Sequence, residues 1–190
     1  TGIWDALRTR HPWLMVNLIT AFMAGAVVSV FEDTIAQVVA LAAFLPILAG
    51  QSGNTGCQAL AITLRGYTLG DIDEFPLRKH LYKEIALGAS NGFLTGFVAG
   101  VAMWLTAFKD GNPQALTLGM VICAAMTGAC IVSGALGVLV PLTLKKFGAD
   151  PATASSIFLT TGTDIAGMGV MLALATVFVF VYLIWALLRP

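Results

Sequence analysis

Long apolar runs decide what this chain can become. Residues 14–31, 35–64, 85–108, 115–144 and 152–188 are each long enough to cross a bilayer as a helix, which takes roughly 17 to 25 residues. In lipid every backbone N–H and C=O must be satisfied internally. No ten-residue alternation suggests a β-barrel, so helices are the structure left. The expected fold is an all-α integral membrane protein with five transmembrane helices per chain and its termini on opposite sides. Composition agrees: 58% of the residues are apolar and 11% charged, against roughly a quarter charged in a soluble domain.

The charges orient this arrangement. With the N-terminus inside and the C-terminus outside, the inside segments hold Arg8, Arg10, Arg65, Arg78, Lys79, Lys83, Lys145 and Lys146, and the outside holds only Lys109 and Arg189. That is the positive-inside pattern. Trp4, Trp13, Trp104 and Trp185 lie near span ends, where amphipathic rings favour the headgroup level. Ten Lys and Arg balance ten Asp and Glu, so no basic field exists to gather nucleic acid. Cys57, Cys123 and Cys130 sit in apolar runs with no CxxC pair and read as packing or lipid-phase residues. The chain opens on Thr1, and its first apolar run is too long for a secretory signal and has no small-residue cleavage site; the expectation is a segment of a longer protein.

Between the second and third spans, residues 66–83 combine Asp71, Asp73, Glu74 and a basic cluster with Phe75, Leu77 and Leu81. A short amphipathic helix at the cytoplasmic interface is expected there, with a docking surface for a cytosolic domain as the alternative. In the third span Gly88, Gly92, Gly96 and Gly100 recur every fourth residue, a smooth ridge that lets another backbone approach closely. Glu84, at the start of that span, is expected to favour the helix dipole, and His11 and His80 read as surface residues.

Polar chemistry concentrates in two places. The second span is interrupted after Pro46 by Gly50-Gln51-Ser52-Gly53-Asn54-Thr55-Gly56-Cys57-Gln58. Irregular backbone at that depth is tolerated only inside protein or along a wet cavity. If the helix continues, Asn54 and Gln58 share a face. An interhelical hydrogen-bond clamp is the other reading of these residues. The fifth span opens with Asp150-Pro151, a pairing that suits a helix start, and carries Thr160-Thr161-Gly162-Thr163-Asp164. Asp164 lies 14 residues beyond Asp150, or roughly 20 Å at helical rise.

A lone carboxylate at that depth costs at least about 2.5 kcal/mol on insertion scales, and no Lys, Arg or His follows in its span before Arg189. Either a bound cation compensates Asp164, or the side chain is protonated and hydrogen-bonded to a neighbouring helix. Two chains meeting on a two-fold axis would place two such charges together, which suits a divalent ion. Oxygen-rich neighbours, with no buried His or clustered Cys, favour a hard cation over zinc or copper, and a wide polar site suits Mg2+, which keeps several of its waters. Mn2+ or Co2+ would fit the same site. Glu32 and Asp33, at the outside end of the first span, form either a cation entrance or a solvated turn.

These residues resemble a known family, the transmembrane domain of the MgtE magnesium transporters and channels. The likeness runs from His11-Pro12-Trp13-Leu14, Asn17-Leu18 and Phe31-Glu32, through Gly53-Asn54-Thr55-Gly56-Cys57-Gln58 and Arg65-Gly66, to Asp150-Pro151-Ala152 and Thr160-Thr161-Gly162-Thr163-Asp164-Ile165-Ala166-Gly167. Ser52 stands where a glycine is expected, and Gly162 and Ile157 replace residues that are often bulkier or Pro.

The resemblance implies a homodimer in the inner (plasma) membrane, with its pore at the subunit interface, lined mainly by the second and fifth spans. It implies that Asp164 is the pore carboxylate holding a largely hydrated Mg2+. Gly53, Asn54, Gly56, Gln58, Thr160, Thr161 and Thr163 would line the pore or support it, and Asp150 would stand at the cytoplasmic mouth. It further implies N-terminal cytosolic and CBS regulatory domains as partners, which residues 1–190 do not contain. The expected function is passive Mg2+ conduction into the cytoplasm, driven by the membrane potential. The alternatives are a proton- or sodium-coupled transporter, a structural assembly domain, and an intramembrane enzyme. Against the enzyme stand the separation of Asp150 from Asp164 and the absence of GxGD and HExxH motifs, and passive conduction fits the absence of a GxxxxGK[ST] loop for ATP.

Overall fold

The structure, a computed structural model, describes residues 2–69, 77–148 and 151–188. Among them are five long helices and one short one: α1 (Ile3–Val30), α2 (Glu32–Gln37), α3 (Ala40–Leu69), α4 (Leu77–Lys109), α5 (Ala115–Lys146) and α6 (Pro151–Leu188). Segments Ile3–Val30, Leu77–Lys109, Ala115–Lys146 and Ala154–Tyr182 are long and apolar enough to cross a membrane. At 30 residues α3 is as long as these, but Gln51, Ser52, Asn54, Thr55 and Gln58 lower the apolarity of its middle.

Pairs of touching residues give the direction of each helix. Gly88 meets Cys130, Gly96 meets Cys123 and Gly100 meets Gly119, so α4 and α5 are antiparallel. Gly162 with Leu136 and Gly128 with Val170 make α5 and α6 antiparallel as well. Gly56 approaches Ser133 and Gly137 approaches Ala59, so α3 runs parallel to α5; Thr20 with Thr161 sets α1 parallel to α6. Hence α1, α4 and α6 run one way and α3 and α5 the other. Ile3 and Leu188 therefore lie at opposite ends of the bundle.

α5 is the centre. Half of its most apolar stretch is buried, against 6% for α1. Leu118, Ile122, Met126 and Val138 of α5 are sealed from solvent, with Leu48 of α3, Met103 of α4 and Leu172 of α6. The exposed side chains Phe93, Leu94, Phe97 and Val98 on α4, and Phe180 and Val181 on α6, give the outer face the character lipid requires.

Several expectations change. α3 is not interrupted: it is helical through Pro46 and the whole glycine-rich run. Its small residues are spent on close packing instead, with Gly56 held against α5 and α6. Residues 66–69 belong to α3 and residues 77–83 to α4, so these flanks form no separate interfacial helix, and Asp71, Asp73, Glu74 and Phe75 lie outside the described residues. Because α4 starts at Leu77, Glu84 sits two turns inside it. It is 4% exposed with Oε1 lacking a partner among the described residues, and is no dipole-facing first-turn acid. His80 is half-buried and bonded to Thr63 rather than a free surface residue. The glycine ridge of α4 packs as its spacing suggests, and the helix it receives is α5.

Candidate cation site

The site is built where α3 crosses α6. A β-carbon on Gly53 would lie 3.9 Å from Thr163 Oγ1, and one on Gly56 would lie 3.1 Å from Leu159 Cδ1 and 3.2 Å from Thr163 Cγ2. One turn further along α6, a β-carbon on Gly167 would lie 3.1 Å from Ser52 Oγ. The numbering rises on one helix as it falls on the other, so the two are antiparallel. Small residues on both sides allow this approach, and Thr163, fully buried, closes its own hydrogen bond by donating to the Thr160 carbonyl at 3.0 Å.

In antiparallel helices a single residue step turns both chains toward the same side of the contact. Asn54 follows Gly53 and Asp164 follows Thr163, so these two residues share one flank of the crossing. Thr160 and Gln58 extend it, each four residues from Asp164 and Asn54 respectively. Asn54 and Gln58 are exposed in the single chain, and Asp164 and Thr160 are half-buried. The Thr160 hydroxyl donates back to the Ser156 carbonyl at 3.0 Å, which leaves its oxygen able to accept or to touch a hydrated ion. Among the described residues no hydrogen bond or ion pair reaches the Asp164 carboxylate, and no cluster of three His, Cys, Asp or Glu side chains forms a closed metal cage. A single carboxylate flanked by hydroxyl and amide oxygens suits a cation that keeps several of its waters, as Mg2+ usually does.

The other expected site residues lie elsewhere. Thr161 is turned away from this flank and donates to Thr20 Oγ1 of α1 at 2.7 Å. Glu32 and Asp33 form the first turn of α2 and are exposed. The neighbouring Thr34 bonds Thr176 at 2.7 Å, which places α2 beside α6 twelve residues beyond Asp164, about 18 Å along the helix. Asp150 lies outside the described residues. Sequence reasoning singled out neither Thr20 nor Ser133, whose backbone oxygen supports Gly56. Both lie in apolar runs with nothing to distinguish them from ordinary small helical residues.

Comparison with known proteins identifies the family of the chain. Residues 45–174, a stretch that includes the α3–α6 crossing, match the family model of MgtE, a divalent cation transporter. Over 183 residues the chain is 32% identical to the magnesium transporter MgtE of Bacillus subtilis, covering 94% of this chain and 38% of that protein. The protein of the same name from Enterococcus faecalis is 29% identical over 91% of this chain and 37% of its own length. That of Thermus thermophilus is 28% identical over 92% of this chain and 36% of its own. The chain thus spans rather more than a third of the length of these relatives. With its long apolar helices and a family match over most of its length, the chain is a multi-pass plasma-membrane protein and belongs to the MgtE family of divalent cation transporters.

Proposed function

We propose that this chain is the ion-conducting domain of a magnesium channel, with hydrated Mg2+ passing Asp164 down its electrochemical gradient into the cytoplasm. One observation carries the reading: the flank of the α3–α6 crossing that bears Asn54, Gln58, Thr160 and Asp164 is polar, yet the single chain leaves Asn54 and Gln58 exposed and Thr160 and Asp164 only half-covered. Such a surface cannot face hydrocarbon without a cost of several kcal/mol for its carboxylate and amides together. A second copy related by a two-fold axis covers it and brings two Asp164 carboxylates to one water-filled path. All five long helices then cross the membrane, N-terminus inside, with Arg65, Lys79, Lys83 and Lys145 at the cytoplasmic end. Cytosolic N-terminal and CBS domains, where the full-length protein carries them, meet that end.

The membrane potential supplies about 2.3 kcal/mol per charge per 100 mV, twice that for a divalent ion, so conduction needs no chemical step. Mg2+ influx into liposomes under an inside-negative potential tests this. Wild type is expected to conduct, Asp164→Ala to lose at least about tenfold of the flux, and Asp164→Asn to fall between them. Equal flux in all three proteins would remove Asp164 from the path. Flux that vanishes without a proton or sodium gradient would favour coupled transport.

A further inference from the structure

A second feature lies further along α3, toward its C-terminal end. Between the end of α3, the start of α4 and the last turns of α5 there is an open cavity of about 700 Å3, within the roughly 300 to 1,000 Å3 of small-ligand sites. Ile62, Leu69, Leu77, Val138 and Leu142 give it alkyl walls. Arg65, Lys79 and Lys83 supply cations around it, and no carboxylate lines it among the described residues. These three have no ion-pair partner there, unlike Lys145 nearby, whose ammonium sits 4.4 Å from the centre of the Tyr67 ring.

The remaining polar lining is held rigidly. Thr63 is fully buried and spends its single hydroxyl proton on the Ala59 carbonyl at 2.8 Å. Its oxygen also lies 3.0 Å from His80 Nε2, a hydrogen bond that fixes the ring at the cavity wall. Leu77 is also the first residue of α4, which adds the positive end of a 33-residue helix to the rim.

We infer that this cavity binds the headgroup of an anionic phospholipid, its phosphate among Arg65, Lys79 and Lys83 and its first acyl methylenes against Ile62, Leu69 and Val138. Charge complementarity selects an anion. The alkyl walls, at the end of helices that span the membrane, select a lipid over a soluble phosphate. Basic pockets between transmembrane helices hold anionic headgroups by this combination, each cation near the surface strengthening binding severalfold. The lipid would clamp α3 to α4 and α5 at the end where their connection is longest, and it does so whether or not Asp164 conducts.

The test reads bound lipid and no ion flux. The purified chain in detergent is titrated with phosphatidylglycerol or with phosphatidylcholine of identical acyl chains, and retained lipid is counted by native mass spectrometry. Saturable binding of phosphatidylglycerol, at least about tenfold tighter than phosphatidylcholine, is expected. That preference is lost in the combined Arg65→Gln, Lys79→Gln and Lys83→Gln variant and kept when Lys109, at the other end, becomes Gln. If the triple variant does not fold, rising salt on the wild type must erode the preference. Equal binding of the two lipids, a preference unchanged in the triple variant or at high salt, or full displacement by millimolar inorganic phosphate would each overturn the assignment, the last by naming a soluble anion as the ligand.

Discussion

The α4–α5 contact and the α3–α6 crossing use the same residue types to opposite ends. Along α4, Gly88, Gly92, Gly96 and Gly100 press directly on the α5 backbone, and all four are buried. A β-carbon on Gly92 would come 2.8 Å from Cys130 Cβ and 2.9 Å from Thr127 Cα, closer than real atoms approach. That seam is dry and complete within one chain. At the α3–α6 crossing, Gly53 and Gly56 also bring two helices together, but beside them Asn54 and Gln58 stand exposed and Thr160 and Asp164 are only half-covered by the same chain. Glycine in a membrane helix therefore marks close approach in both places, and its neighbours decide whether the approach seals a core or leaves a polar flank beside it.

The largest effect expected from this contrast is on stability. Gly92→Leu must push α4 off α5, and a loss of about 3 kcal/mol, the upper part of the usual range for overpacking, should appear as a collapse of the folded fraction in a denaturant titration in detergent. Gly50, on α3, has nothing within 4 Å of its built β-carbon, so Gly50→Leu should leave that titration almost unmoved. Equal losses at the two positions would end the distinction between a sealed seam and an open flank.

A smaller change sharpens the other side. Thr161→Val removes the 2.7 Å bond to Thr20 that ties α1 to α6, and Thr34→Val removes the one to Thr176. Each should cost about 0.6 kcal/mol, the average for side-chain hydrogen bonds between membrane helices. Because Thr161 points to α1 and not to the polar flank, its substitution should leave Mg2+ flux within about twofold of wild type. Flux lost with Thr161 but kept with Thr160 substituted would place the path on the wrong face of α6. The smallest effect is expected at Leu94, exposed on the outer side of α4, where Leu94→Ala should shift stability by no more than about 0.5 kcal/mol.

Much of this was readable from residues alone. Apolar length located the four helices long and apolar enough to cross a membrane, and the four-residue glycine period located a packing ridge; the lone carboxylate of Asp164 is the residue on which the proposed path rests. The helix ends were less legible, because Leu77-Arg78-Lys79-His80 is good helix-forming sequence but too charged to be counted with an apolar run. That shortfall at the start of α4 also hid the burial of Glu84. The continuity of α3 was illegible for a different reason: glycines at Gly50, Gly53 and Gly56 permit a break or a close contact equally, and only the presence of Leu159, Thr163 and Ser133 against Gly56 decides between them. The bond from His80 to Thr63 joins two helices across 17 residues, a pairing no local pattern announces.

The central claim is that one flank of α3 and α6 is wet and the α4–α5 seam is dry, and cysteine accessibility in intact membranes tests it most directly. In a background with Cys57, Cys123 and Cys130 replaced, Asn54→Cys and Met126→Cys are each exposed to a membrane-impermeant thiol reagent and to a lipid-soluble one. The account predicts that Asn54→Cys reacts with the impermeant reagent and is slowed by millimolar Mg2+, while Met126→Cys, at a buried position of α5 against Gly92 and Gly96, reacts with neither. Asn54→Cys that is inert to the impermeant reagent but labelled by the lipid-soluble one would mean that this flank faces hydrocarbon, and the path proposed through Asp164 would have to be abandoned.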